Sequence, residues 1–248
     1  MRYKLIACEI LCREFADALA RSPHTIDVEF LGKGLHDRAG SSMRDEIQAR
    51  IDAVPEGEYD AILLGYALCG NGLDGLKARG TPLVAPRAHD CITLLMGSRS
   101  RYEEEFHRNP GTYFRSTGWL ERGQGLEPLV TLQTGAGASL NDLVAQYGEE
   151  NGRYLYETLN SYKQSYSRLA YIHTGLAPDA EFAERTRAEA VERGWAFAEI
   201  EGSLRLFRQL LAGEWDDDDF VVVRPGGRLA ARYDEQILGV VEQEEPAS

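Results

Sequence analysis

Hydrophobic residues in the first hundred positions form short runs with two alternating spacings. Four runs are short or alternate residue by residue, which is typical of strands. They occupy residues 3–8, 25–31, 59–66 and 83–85. Between them, residues 11–19 and 43–54 place apolar side chains at the spacing of a helix. Strands that alternate with helices predict a parallel sheet with helical crossovers.

The same alternation returns after a less regular middle part. Strands are predicted at 169–172, 196–200 and 220–223, with helices at 180–193 and 203–211. We therefore expect an α/β fold of two Rossmann-like halves with mostly parallel sheets. The predicted division is 1–122, a glycine-rich connection at 123–138, and 139–248. Ligands of such sheets bind in the crevice at the carboxyl ends of the strands.

Composition and net charge argue against some classes of function. The chain has 248 residues, with 40 acidic against 27 basic side chains and a net charge of −13. Because nucleic-acid binding needs a basic face, this balance argues against it. No apolar stretch reaches the roughly 20 residues of a membrane span, and the apolar start is too short for a signal peptide. We expect a cytoplasmic protein with a small-molecule substrate and with neither a nucleic-acid nor a membrane partner.

Cysteine and histidine residues follow the predicted strands of the first half. Cys8 ends the first strand, Cys69 follows the third and Cys91 follows the fourth; His36 and His89 follow the second and fourth. Parallel strands bring these positions to one edge of the sheet. Thiolate and imidazole ligands suit zinc. We predict Cys8, Cys69 and Cys91 as metal ligands, with His36 or His89 as a fourth ligand or as the catalytic proton carrier.

Substrate-binding residues are predicted near these cysteines. Gly70 and Asn71 belong to a Cys-Gly-Asn-Gly loop whose backbone amides can approach an anion. Ser98 and Arg99 lie in a segment, 92–101, that reads as a helix beginning at the same edge. Tyr113, together with Trp119, either walls the pocket or belongs to the core.

Three other interpretations of the cysteines remain open. Cysteine is among the most buried residue types, so these residues could be core positions in a module that binds an anionic cofactor. The same ligands could serve a non-catalytic metal-binding or metal-delivery protein. Cys69 or Cys91 could instead be the nucleophile of a metal-free thiol or redox enzyme. Cys12, one helical turn beyond Cys8, could reach the same edge or pack inward.

The sequence resembles a prokaryotic family known only as a domain of unknown function. The resemblance rests on these blocks: Ala7-Cys8, Leu35-His36, residues 66–70 (Tyr-Ala-Leu-Cys-Gly), residues 89–91 (His-Asp-Cys), residues 95–98 (Leu-Met-Gly-Ser) and residues 110–114 (Pro-Gly-Thr-Tyr-Phe). Some members of that family lie near corrinoid-dependent methyltransferase systems. The resemblance thus suggests a functional link to a corrinoid and a corrinoid protein as partner.

A second similarity concerns the chemistry of the site. His89-Asp90-Cys91 is similar to the His-x-Cys zinc half-motif of methyltransferases that activate a thiol substrate. Those enzymes take a further cysteine downstream, whereas Cys91 is the last cysteine of this chain. A third ligand must therefore come from Cys69 or Cys8. The combined prediction is a zinc-type transferase that binds a thiol-like substrate and transfers a methyl or other one-carbon group.

Overall fold

The computed structural model describes residues 1–33, 41–69, 71–123, 144, 148–149, 151–154 and 166–242. Its strands are β1 (Arg2–Cys8), β2 (Thr25–Leu31), β3 (Ala61–Gly65), β4 (Leu83–Pro86), β5 (Thr112–Arg115), β6 (Arg168–His173), β7 (Ala196–Glu201), β8 (Phe220–Val223), β9 (Arg228–Ala231) and β10 (Leu238–Val241). Its helices are α1 (Cys12–Arg21), α2 (Ser41–Asp52), α3 (Cys91–Met96), α4 (Arg99–Arg108), α5 (Thr117–Arg122), α6 (Asp179–Arg193) and α7 (Arg205–Ala212). A 3-10 turn, Glu9–Leu11, joins β1 to α1.

The larger sheet has five strands in the order β2-β1-β3-β4-β8. Its first four strands are parallel, and β8 pairs antiparallel with β4 at the edge. All five residues of β3 are buried, as expected for a central strand covered on both faces. Helices α1 and α7 pack against each other, and the ring centres of Phe15 and Phe207 are 5.0 Å apart. The four parallel strands all point their carboxyl ends to one edge.

A second parallel sheet has three strands in the order β5-β6-β7. Helix α6 packs against β6 and β7, and its Phe182 and Ala183 form a small core with Tyr171. Strands β9 and β10 form an antiparallel hairpin that the hydrophobic pattern did not predict. The predicted α/β class with mostly parallel sheets is confirmed.

Sheet membership does not follow the predicted division of the chain. Strand β5 precedes residue 122 but pairs with β6, and β8 follows residue 139 but pairs with β4. The chain therefore leaves the larger sheet after β4 and returns to it through α7. Apart from residue 123, the predicted connection at 123–138 lies outside the described residues.

The predicted helix at 92–101 is two helices. Helix α3 ends at Met96 because Gly97 takes a left-handed conformation with a φ of 69°. Ser98 then accepts a hydrogen bond from the backbone of Arg101 and begins α4. Of these two helices, α3 is the one that begins at the edge of the sheet where Cys91 lies. No helix in the part of the chain that the structure describes is long and apolar enough to cross a membrane.

Candidate functional site

Three cysteines lie at the carboxyl ends of three neighbouring strands. Cys8 is the last residue of β1, Cys69 follows the end of β3, and Cys91 begins α3 after β4. Cys8 is buried, whereas Cys69 and Cys91 are half-buried. The sheet order places β1, β3 and β4 side by side, so their ends meet at one edge. We call Cys8, Cys69 and Cys91 the cysteine rim.

Backbone hydrogen bonds tie the loop after β3 to the loop after β4. The N–H of Leu68 donates to the carbonyl of Ala88 at 2.9 Å, and the N–H of Cys69 donates to the carbonyl of His89 at 2.8 Å. Cys69 has a φ of +43°, a conformation that side-chain-bearing residues rarely adopt. The loop thus holds Cys69 in a strained backbone conformation, a feature that clusters at functional sites.

Burial is the largest influence on the pKa of each of the three rim thiols. Burial raises the pKa of Cys8 to about 11. Burial, the charge of Asp90 and the thiolate of Cys8 raise the pKa of Cys69 to about 12, against a lowering contribution from a hydrogen bond with the Cys91 backbone. Burial, Asp90 and the thiolates of Cys69 and Cys8 raise the pKa of Cys91 well above its usual value. At neutral pH, in the absence of a metal, all three groups are therefore neutral thiols.

The three side chains of the rim are not arranged to coordinate a metal ion. Among the residues that the structure describes, no three Cys, His, Asp or Glu side chains are placed so that they could hold a metal ion. Sulfurs bind zinc at about 2.3 Å, so a metal would have to draw them closer together.

Two residues from other parts of the chain, Trp119 and Lys33, interact with the cysteine rim. The indole N–H of Trp119 donates to the sulfur of Cys91 at 3.3 Å. The Lys33 ammonium lies 5.9 Å from the centre of the Trp119 ring, and its charge lowers the pKa of Cys8. Lys33 is buried, with only 3% of its surface exposed. Sequence reasoning missed Lys33, although its place just after β2 was an available signal.

The structure describes some of the predicted histidines and loop residues and not others. His36 and Gly70 lie outside the described residues. The His89 side chain is exposed, and the residue contributes its carbonyl to the bond with Cys69. Asn71 is exposed and has a φ of +70°. Cys12 is half-buried and begins α1. The structure thus connects His89 to Cys69 through its backbone and leaves the His89 side chain exposed.

Three predicted substrate residues make contacts with other parts of the fold. Ser98 caps α4, at the opposite end of α3 from Cys91. The Arg99 guanidinium donates to the backbone carbonyls of Glu235 and Asp218. Tyr113 packs beside Tyr166, with ring centres 5.5 Å apart, in the smaller sheet. These side chains therefore hold other parts of the fold together.

A second cluster of functional-looking groups lies at the carboxyl ends of β5 and β6. Asp179 Oδ1 accepts hydrogen bonds from Tyr171 at 2.8 Å and from Thr117 at 3.1 Å. Its Oδ2 accepts from the backbone of Gly175 at 2.6 Å. Glu14 of α1 accepts from Thr174 at 3.4 Å. The carboxylate cluster is defined here as Glu14, Thr117, Tyr171, Thr174 and Asp179.

Glu14 is the unusual member of the carboxylate cluster. It is 0% exposed, and its Oε2 has no hydrogen-bond partner among the residues that the structure describes. Burial, followed by the nearby charge of Asp179, raises the pKa of Glu14 to about 7. Sequence patterns did not predict this cluster, because its residues come from α1, α5, β6, the residue that follows β6, and α6.

The sequence matches a family described as a protein of unknown function, DUF1638, over residues 30–211. The chain belongs to this family. The matched range includes Cys69 and Cys91 and excludes Cys8. No curated protein and no solved structure matches the chain.

Proposed function

We propose that the cysteine rim is the zinc-type metal site of an enzyme that acts on a small, thiol-like substrate. The observation that carries the proposal is the placement of Cys8, Cys69 and Cys91 at the carboxyl ends of three neighbouring parallel strands, with the loops that follow β3 and β4 joined by backbone hydrogen bonds at Leu68 and Cys69. In this proposal the two parallel sheets are Rossmann-like halves, and the site faces the crevice between them. The cytoplasm is the proposed location, since reduced thiols persist there.

The residues at the rim fit a soft metal ion. Three cysteine sulfurs are the donor set that zinc takes in many protein sites, and three protein ligands leave one position for a substrate. The indole N–H of Trp119 on Cys91 is the kind of hydrogen bond that orients a metal ligand. A metal also removes the need for low thiol pKa values, because coordination deprotonates the sulfur.

The raised pKa values count against a metal-free thiol enzyme. A nucleophilic cysteine needs a lowered pKa, usually from a neighbouring cation or helix terminus. At the rim, burial and Asp90 raise the pKa of both Cys69 and Cys91. These raised pKa values therefore disfavour a nucleophilic role for Cys69 or Cys91.

The proposed chemistry is methyl or one-carbon transfer to the substrate thiol. Zinc, when bound, lowers the pKa of such a thiol so that a nucleophile exists at neutral pH. In the transfer, the carbon–sulfur bond forms, the bond from carbon to the donor breaks, and the donor keeps the electron pair. The substrate proton leaves through His89, which is exposed beside the rim, or through His36. A methylated corrinoid, carried by a corrinoid protein, is the donor that the family resemblance suggests.

Elemental analysis of the purified protein tests the metal site. We expect stoichiometric zinc in the parent protein and its loss in Cys69→Ala and Cys91→Ala. Cys12→Ala is the matched control, since Cys12 is a half-buried thiol on α1 outside the rim. Unchanged metal content in both rim variants would contradict the proposal. Loss in Cys12→Ala as well would contradict the assigned ligands.

A product assay tests the transfer. The zinc-loaded protein is mixed with methylcobalamin and 2-mercaptoethanol, and the S-methyl product is measured by mass spectrometry. We expect product with the parent protein and with Cys12→Ala, and only the uncatalysed background with Cys91→Ala. Metal binding without product above background would favour a metal-binding or metal-delivery protein.

A further inference from the structure

Trp119 makes a contact between the smaller sheet and the cysteine rim. Its helix, α5, directly follows β5 of the smaller sheet, yet its indole N–H donates to the sulfur of Cys91 in the larger one. The donor and acceptor atoms are 3.3 Å apart, which is normal for a bond to sulfur. An N–H directed at a sulfur restricts where that sulfur can point.

Two neighbours of Trp119 fix the position of α5. Gly118 lies so close to the turn after β1 that an added Cβ would come within 1.7 Å of the Ile10 carbonyl oxygen. The Thr117 hydroxyl bonds to the Tyr171 hydroxyl at 2.8 Å and to Asp179 at 3.1 Å. Helix α5 is therefore held on one side by the larger sheet and on the other by the carboxylate cluster.

Lys33 restrains the indole ring itself. Its ammonium lies over the ring, 5.9 Å from the centre, in cation–π geometry. Lys33 is buried and Trp119 is half-buried, so this contact is partly shielded from solvent. It favours the ring position in which the indole N–H donates to Cys91.

We infer that Trp119 is a positioning residue, which orients the Cys91 sulfur towards Cys69 and Cys8 so that the three can bind one metal ion. The inference rests on the proposed function and adds to it a residue from outside the larger sheet. Loss of such an orienting hydrogen bond typically weakens metal binding about 10- to 100-fold.

Cobalt(II) binding to the metal-stripped protein tests the inference, because cobalt–thiolate sites have a charge-transfer band. Trp119→Phe removes the N–H and keeps an aromatic ring. Trp215→Phe is the matched control, since Trp215 is also half-buried but donates to the Leu210 carbonyl at 2.8 Å. The melting temperature of each metal-free variant is measured alongside.

We expect Trp119→Phe to bind cobalt about 10- to 100-fold more weakly and to shift the charge-transfer band. Trp215→Phe should bind like the parent, and both metal-free variants should melt at similar temperatures. Equal affinity and an equal band in Trp119→Phe and the parent would overturn the inference and leave the metal site standing. Absence of any cobalt–thiolate band in the parent would overturn the proposed site, and the inference with it.

Discussion

The two larger sheets carry different chemistry at the same structural position, the carboxyl ends of their parallel strands. The larger sheet presents sulfur at the cysteine rim, whereas the smaller sheet presents oxygen at the carboxylate cluster. Asp179 in that cluster already accepts three hydrogen bonds from the protein. A thiol is a weak hydrogen-bonding group, so the rim gains little from internal partners. We conclude that the carboxylate cluster fixes the fold where the sheets meet, while the rim is the part of this region to which the proposed function assigns a ligand.

Asp179→Ala should lower the free energy of unfolding more than the other variants. It tests whether the carboxylate cluster stabilises the fold. It leaves the hydroxyls of Thr117 and Tyr171 without their acceptor in a buried place. We expect a loss of about 4 kcal/mol in the free energy of unfolding, measured by urea denaturation. Asp218→Ala, at an exposed acid, should change it by less than about 0.5 kcal/mol. A small loss in Asp179→Ala would mean that the cluster does not stabilise the junction.

Glu14 should make stability depend on pH. Its pKa is about 7 in the folded protein against a usual 4.5, so the native state prefers the neutral carboxyl. This contribution is complete below pH 4.5 and is lost as the pH rises through 7, by about 3 kcal/mol in total. Glu14→Gln should therefore be more stable than the parent at pH 8 and similar to it below pH 4.5.

Denaturant unfolding across this pH range measures the difference between Glu14→Gln and the parent. Glu149→Gln, at an exposed carboxylate, is the control and should show no such divergence. A constant difference between Glu14→Gln and the parent at every pH would show that Glu14 ionises normally in the folded protein.

Zinc should raise the free energy of unfolding by binding at the cysteine rim and at no other site. Free zinc at about 100 times its dissociation constant is expected to add about 2.7 kcal/mol, because it binds the folded state. Thermal melting with zinc, and then with a chelator, measures this gain. Cys69→Ala should abolish it, and Glu14→Gln should retain it. A gain that survives in Cys69→Ala would place the metal outside the cysteine rim.

The smallest expected effect concerns Asp90, beside Cys91. Its Oδ1 accepts from the backbone N–H groups of Ile92 at 3.0 Å and Thr93 at 3.2 Å, so it caps α3. Asp90→Ala should cost about 1 kcal/mol of stability, and Asp90→Asn, which can still cap, should cost less. Circular-dichroism melts of both variants measure the costs, and equal costs would show that charge matters more than capping.

Much of the fold was visible in the sequence because it depends on local patterns. The fully apolar β3 and the helical spacing of α1 identify a buried strand and a helix packed on it. Pairings between distant residues were not visible. Strand β5 joins the smaller sheet, and Arg99 binds the Glu235 carbonyl, because packing selects these partners without a local signal.

The sequence by itself determined the α/β class and the position of cysteines at strand ends, since short-range spacing controls both. Only the tertiary structure decided which of those cysteines share an environment and which residues surround them. Trp119 and Cys91 are 28 positions apart and belong to helices that follow strands of different sheets. Their hydrogen bond lies beside the close approach of Gly118 to Ile10, and both contacts depend on three-dimensional packing.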